Sequence, residues 1–513
     1  MYSSSLTAGT NVTKAQGTRW ASGNAVLVWG FVALGIVFRL RQYVYDRSLW
    51  LDECLLVINI IHRSPAELLK PLSHGQAAPI GFLLLEKMVV DHLGSSEMAL
   101  RLVPFLSGVV SLFVFAAVAQ RLLKAKEVPI AVGLFALSGG LIYYSSEAKQ
   151  YSTDVAVVLV LYLLAVSLLE TELGGVKILV ASAIGSLAVW FSQPAVFVLA
   201  GIGLSVVWAS VQKNDRRFLL LFSIPVAAWT FSFLAYYFFS LRGLTHSSFL
   251  LGYWQGSFVP LLPHSLKDVR WFADTFFNVF SDPLGLTFTG IAGVAALAGA
   301  RDLFSTRQST FFLLLLPIVL TFLASGFHRY PFRGRLLLFL VPSAILLIAA
   351  GLGTIQRKTH DAIPLLGVLL VSFLFLYPAA DACRQLFKPQ TVEEIRPVIA
   401  YVDKHRSEGD ILYCYYASRF ALDYYTQRGL LSPQNQIIGV ESRQNPQSYR
   451  EDLGKLSGRG RVWFLFSHVY RDGGIDEEQF YVDYLDGTGR RLDSSFAPGA
   501  SVYLYDMSTQ RSR

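Results

Sequence analysis

Between residues 22 and 380 the chain is a succession of apolar runs with short polar breaks between them. The runs lie near 22–40, 98–120, 128–144, 152–169, 177–192, 194–211, 218–240, 286–300, 310–325, 336–351 and 362–380. A helix of about 20 residues crosses a hydrocarbon core, so this spacing predicts eleven transmembrane helices. A further run, 77–93, is short, starts at Ala78-Pro79 and is interrupted by Glu86-Lys87. It reads as a helix lying in or on the outer leaflet.

Past residue 380 the pattern changes. Thr391 and Glu394 fit a capping box ahead of an amphipathic helix over 391–406, with Ile395, Val398, Ile399 and Val402 on one face. Residues 411–416 read as a buried strand, 418–428 as a helix, and 436–440, 462–467 and 501–505 as further strands. The alternation predicts a small α/β sandwich of about 120 residues. It contains no Gly-rich phosphate loop and no metal-spaced Cys/His set. Its expected role is acceptor docking or a structural cap.

Composition divides the chain at the same place. It is 53% hydrophobic and 16% charged, with a mean hydropathy of +0.44, where soluble chains carry about a quarter charged residues. Residues 1–380 hold 27 Lys and Arg against 18 Asp and Glu, and residues 381–513 hold 17 against 18. A soluble enzyme, a disordered chain and a disulfide scaffold are excluded. Loops rich in Lys and Arg stay cytoplasmic. Arg121/Lys124/Lys126, Lys177, Lys213/Arg216/Arg217, Arg301/Arg307 and Arg357/Lys358 all fall on one side if 77–93 does not cross. That places the polar tail 1–21 inside and residues 381–513 outside, so the net +8 marks a membrane face rather than a nucleic-acid surface. No cleavable signal peptide is expected. The sequon Asn11-Val-Thr13 lies on the inner side, where it would not be glycosylated. Cys383 and Cys414 share the outer side, and a disulfide or two free thiols both fit; Cys54 makes the third cysteine.

Three constellations gather on the outer side. The long first loop, 41–97, carries Leu49-Trp-Leu-Asp52-Glu53. A carboxylate near an apolar surface has a raised pKa and makes a better general base; Asp52 capping a helix over 53–61 also fits, and both can hold at once. After the third span come Tyr143-Tyr-Ser-Ser-Glu147-Ala-Lys149-Gln-Tyr151. They put an anion, a cation and two hydroxyl-bearing aromatics at the membrane lip, and a local Glu147–Lys149 pair solvating a tight turn fits equally. The third is His328-Arg329-Tyr330-Pro331-Phe332-Arg333-Gly334-Arg335, three arginines against the charge trend. Guanidinium matches phosphate oxygens, although Arg335 could also snorkel to headgroups. The loop 241–285, with His246, Tyr253, Trp254, His264, Arg270 and Trp271, reads as a lid or as interfacial anchors.

These residues resemble the GT-C membrane glycosyltransferases. The likeness rests on Ser48-Leu-Trp-Leu-Asp52-Glu53, a Pro-led helix at 79–93, and Ser96-Glu-Met-Ala-Leu-Arg101-Leu-Val-Pro104. Tyr144-Ser-Ser-Glu147-Ala-Lys149-Gln-Tyr151 and Arg335-Leu-Leu-Leu-Phe-Leu-Val-Pro342 continue it in order. It covers about residues 22–380 and is closest to bacterial members using polyprenyl-phosphate sugars: the lipid A aminoarabinose transferase, the rhizobial galacturonosyltransferases and, more distantly, the protein O-mannosyltransferases. The resemblance implies an α-helical polytopic GT-C-like catalytic domain with about eleven spans, followed by an extracytoplasmic α/β domain, in a bacterial inner membrane. It makes Asp52 the candidate general base, with Glu53 orienting acceptor or base and Glu147 facing the same cavity. Lys149, with Arg329, Arg333 and Arg335, would hold the donor phosphate; His74, Gln76 and Tyr151 would bind substrate. Relatives often place an acid ahead of the Pro-led helix. Here the stretch is His74-Gly-Gln76-Ala-Ala-Pro79, so no cofactor is required and a divalent cation stays open.

The implied reaction is inverting transfer of a sugar from a polyprenyl-phosphate donor to a lipid, glycan or protein acceptor of the envelope, lipopolysaccharide among them. Membrane lipids are partners and nucleic acid is not. A polytopic transporter or lipid flippase is the competing class, yet such pathways keep ionisable groups near the midplane and show repeated halves. A non-catalytic scaffold would not need these charges on one side.

Overall fold

The computed structural model describes residues 22–170, 172–244, 248–443, 445–472 and 475–508. The tail 1–21, its sequon and His246 lie outside the described residues. Among the described residues, eight helices are long and apolar enough to cross a membrane: Gly23–Val44, Leu102–Leu122, Tyr151–Glu170, Ala195–Gln212, Arg216–Leu241, Gln308–Gly326, Gly334–Thr359 and Leu366–Phe387. The chain is a multi-pass membrane protein. Of the other expected spans, Gly175–Phe191 is shorter and Thr289–Thr306 carries Arg301 and Asp302.

The run 128–144 is not one helix, a correction to the sequence reading. It breaks at Ser138 into Val128–Leu137 and Gly139–Tyr144. The break leaves terminal carbonyls without intrahelical partners, and the buried Arg39 guanidinium donates to Phe135 O and Ala136 O. Gly140 lies so close to the Pro283 carbonyl that any Cβ there would collide with it. The run 98–120 likewise divides at Arg101, into Glu97–Leu100 and Leu102–Leu122. Residues 77–93 form the helix Ile80–Leu93, 14 residues behind Pro79. That is about 21 Å at 1.5 Å per residue, short of a hydrocarbon core. The 3₁₀ turn Gly334–Leu340 runs into the helix Val341–Thr359, which is predominantly apolar and buried among its neighbours at every position through residue 354. At its far end Arg357 pairs with Glu127 at 2.6 Å, beside the Lys124–Asp302 pair at 3.2 Å.

The C-terminal domain is a sheet between two helical layers. Strands β1 (Ile411–Cys414), β2 (Gln436–Ile438) and β3 (Arg461–Ser467) are parallel, with β1 in the middle. A two-stranded ribbon, β4 (Arg471–Asp472) and β5 (Ile475–Asp476), stands apart. Strands β6 (Arg490–Ala497) and β7 (Ala500–Asp506) are antiparallel and complete the order β2-β1-β3-β7-β6. Side chains alternate between faces, as a pleated strand requires. Leu412, Cys414, Trp463, Leu465, Val502 and Leu504 pack with the helices Ile395–His405 and Arg419–Gln427. Tyr413, Val462, Phe464, Phe466, Tyr503 and Tyr505 pack with Pro446–Gly454 and Glu477–Thr488. The first face also buries Leu49, Cys54 and Val57 of the first loop. All three cysteines are free, Cys414 buried and Cys383 exposed, so the open disulfide is not formed. The expected capping box is absent: the helix begins at Ile395, and the Glu394 carboxylate reaches across to Ser48 instead.

Candidate active site

Trp50 is the N-cap of the helix Leu51–His62, which puts Asp52 and Glu53 in its first turn, where carboxylates are favoured by the helix dipole. Asp52 is therefore not the cap. Its Oδ1 lies 3.0 Å from Lys149 Nζ and its Oδ2 2.8 Å from Arg335 Nη2. Lys149 also donates to Gln76 Oε1 at 2.7 Å. It takes its partners from the first loop, so the local Glu147–Lys149 turn pair does not form. The Arg335 guanidinium sits over the rings of Trp50 (5.4 Å) and Tyr151 (5.6 Å). Gly334 places it there: its φ of +52° is left-handed, and Asp282 Oδ2 lies 3.0 Å from where a Cβ would stand.

The electrostatics correct one expectation. Burial does push the Asp52 carboxyl up, but Lys149 and Arg335 outweigh it and hold the group below its ordinary value. Glu53 is fully buried and spoken for: Arg101 grips it with Nε at 2.8 Å and Nη2 at 2.7 Å, and Ala148 N donates to it at 2.8 Å. Its contacts tie loops together and leave no oxygen open to a substrate. Of Asp52, Glu53 and Glu147, only Glu147 is raised. It is fully buried, both its oxygens lack a partner, and burial, then the charge of Glu53, pushes it up to about 7. Glu147 lines a cleft of about 640 Å³ together with Trp50, Tyr144, Asp282, Arg335 and Asp381.

A group that binds its proton more tightly when folded loses its stabilising contribution as pH rises through its folded pKa. The protein is therefore expected to lose thermal stability from about pH 4.5 towards 7, with Glu147→Gln flattening that slope. Melting temperatures in detergent across this range check it; an unchanged slope in the variant would place the titration elsewhere.

The remaining candidates separate. Arg329 and Arg333 are exposed; Arg333 acts on Asp282, whose carboxyl burial raises and Arg333 and Arg335 lower. His74 stacks edge-on against Phe420 of the α/β domain at 4.7 Å rather than facing Asp52. In the loop 241–285, Ser265 and Asp268 cap the amphipathic helix Leu266–Ser281, which delivers Ser281 and Asp282 to the cleft. Sequence reasoning missed Trp50, Asp282 and Asp381 as cleft residues and Arg47 and Arg101 as its supports. Arg47 donates to Ser146 Oγ at 2.7 Å and lies over the Tyr143 ring. The only signal for it was a lone cation beside an acidic motif.

Among solved structures, the chain superposes on ArnT from Cupriavidus metallidurans bound to undecaprenyl phosphate. The match covers 94% of this chain and 98% of that one, with a TM-score of 0.54 and 12% identity. The chain has the GT-C fold. The Archaeoglobus fulgidus oligosaccharyltransferase, solved tethered to an acceptor peptide, matches over 94% of this chain and 74% of its own, with a TM-score of 0.50 and 10% identity. No family model and no curated protein matches the chain. In this GT-C fold no group of three or more His, Cys, Asp or Glu side chains among the described residues is placed to hold a metal ion. Both Asp52 oxygens face cations, and a divalent ion at Asp52 would have to displace both.

Proposed function

We propose that the protein is an inverting glycosyltransferase that moves a sugar from a polyprenyl-phosphate donor to an envelope acceptor on the extracytoplasmic side of a bacterial inner membrane. The observation that carries this reading is Asp52 held between Lys149 and Arg335 beside a cleft that contains a buried, unpartnered Glu147. The ArnT and oligosaccharyltransferase likeness supports it at the level of the fold.

A polyprenyl phosphate leaves as a stabilised anion, so departure needs positive charge more than a strong acid. Arg335 and Lys149 supply it, and fixed charge aimed at developing charge is often the largest catalytic contribution. The donor phosphate then competes with Asp52 for these two cations. As it takes them, Asp52 loses the partners that depress its proton affinity and becomes a base when the donor is present. Asp52 accepts the acceptor's proton, the acceptor oxygen or nitrogen bonds to the anomeric carbon from the opposite face, and the carbon–oxygen bond to phosphate breaks. Configuration inverts. Glu147, neutral below about pH 7, donates a hydrogen bond to the bound sugar, and Tyr151 and Gln76 hold Arg335 and Lys149 in place. Arg329 and Arg333 meet the phosphate on its way in.

The test is purified protein in nanodiscs with a panel of polyprenyl-phosphate sugars, reading release of polyprenyl phosphate and the anomeric configuration of the product. Inverted product is expected, and turnover is expected to persist in EDTA. No release of polyprenyl phosphate from any donor of the panel, or retained configuration, would sink the reading.

A further inference from the structure

The residues leading into the Asp52 helix are held by the α/β domain. Backbone N–H groups at a helix start have no partners within the helix. Here Ser48 N and Oγ donate to Glu394 Oε2 at 3.2 and 2.9 Å, and Leu49 N donates to the Tyr425 hydroxyl at 3.0 Å. Leu51 N donates to Glu393 Oε2 at 3.1 Å. Trp50 N alone of the four stays local, on Glu53 at 3.4 Å. The second Glu393 oxygen lies 2.6 Å from His468 Nδ1. His468, in the link after β3, takes a left-handed φ of +51° and stands beside Trp50, with ring centroids 6.4 Å apart. Trp50 in turn lies under Arg335. The contacts are backed by a shared apolar core, in which Leu49, Cys54 and Val57 pack with Ile395, Val398 and Leu422.

We propose that the Glu393–His468 pair is a positioning device for Asp52. One Glu393 oxygen fixes the first turn of the helix that carries Asp52, and its negative charge sits at the positive end of that helix. His468 fixes the other oxygen, and with it the carboxylate's rotation. The α/β domain thus completes the active site. This rests on the glycosyl-transfer reading above, since it assigns Glu393 and His468 to the same reaction. Simple domain docking makes a different demand. Glu393→Gln keeps an oxygen for Leu51 N and would be silent if docking were all.

The experiment uses the full chain in nanodiscs as wild type, Glu393→Gln, Glu393→Ala and His468→Ala. It measures hydrogen exchange over residues 48–51, melting temperature, and transfer rate against donor concentration. Glu393→Ala and His468→Ala are expected to speed exchange over 48–51 and to lower kcat by about tenfold to a hundredfold, the scale of a 1 Å misplacement. Donor KM is expected to hold. Glu393→Gln is expected to fold normally and fall between these variants and the wild type. Wild-type exchange in both alanine variants, or wild-type kcat in Glu393→Gln, overturns the proposal. Faster exchange in the variants of a wild type that transfers no sugar from any polyprenyl phosphate supports the clamp and overturns the transfer reading instead.

Discussion

Asp52→Asn is expected to fold and to lose sugar transfer by about 10²- to 10⁴-fold, the contribution a positioned general base makes. Asparagine keeps the shape of the side chain and one acceptor oxygen but cannot take the acceptor's proton. Folding is expected to survive because the two cations keep other partners: Lys149 retains Gln76, and Arg335 retains the faces of Trp50 and Tyr151. A second effect separates this assignment from plain damage. On the proposed mechanism the donor phosphate competes with the Asp52 carboxylate for Lys149 and Arg335 in the wild type. With the charge removed, the donor is expected to bind more tightly while turnover falls. Polyprenyl-phosphate binding and product release, measured on the same preparation, check both. A variant that transfers at the wild-type rate would remove Asp52 from the mechanism.

Arg101→Ala is expected to be the most destabilising single change near the site, costing about 3–5 kcal/mol, the usual penalty for stranding a buried charge. Arg101 and Glu53 are 2% and 0% exposed in their side chains and 2.7 Å apart. Arg101 also donates to Arg47 O at 2.6 Å and Ser48 O at 3.1 Å, which binds the first loop to the start of the helix Leu102–Leu122. Its removal strands the Glu53 carboxylate and frees two carbonyls. Thermal melts in detergent measure the loss. Removing both partners, as Glu53→Gln with Arg101→Met, is expected to recover part of it, because the stranded charge rather than the lost pair dominates. A double variant no better than Arg101→Ala would argue that the carbonyl contacts carry the energy.

Much of this was legible in order along the chain. The apolar runs announced the helices because a span must satisfy its own backbone and face lipid, and both demands are written locally. The strands β1, β3 and β7 were legible for a similar reason, being short apolar or aromatic runs buried in the domain. The strand β6 was missed. It is an edge strand, largely exposed and reading Arg-Arg-Leu-Asp-Ser-Ser-Phe-Ala, so nothing in its composition demands burial. The break at Ser138 was missed because both halves are apolar; the carbonyls it frees are met by Arg39, 97 residues away from Ala136 in the chain.

The sequence by itself determined that this is a helical membrane chain with a polar α/β domain, and it singled out Asp52, Glu147, Lys149 and the arginines of 329–335 as candidates. Which of them meet was a matter for tertiary structure. Asp52 pairs with Lys149 across 97 positions, Glu53 is taken by Arg101, and Arg335 joins Asp52 while Arg329 and Arg333 stay at the surface. The physical reason is that a carboxylate's proton affinity depends on burial and on charges within a few ångströms. Two adjacent acids thereby acquire separate surroundings: Asp52 beside the cleft and Glu53 locked in the frame. The same holds for the α/β domain, whose Glu393 and Glu394 look like the start of a helix in sequence and in space hold the turn that carries Asp52.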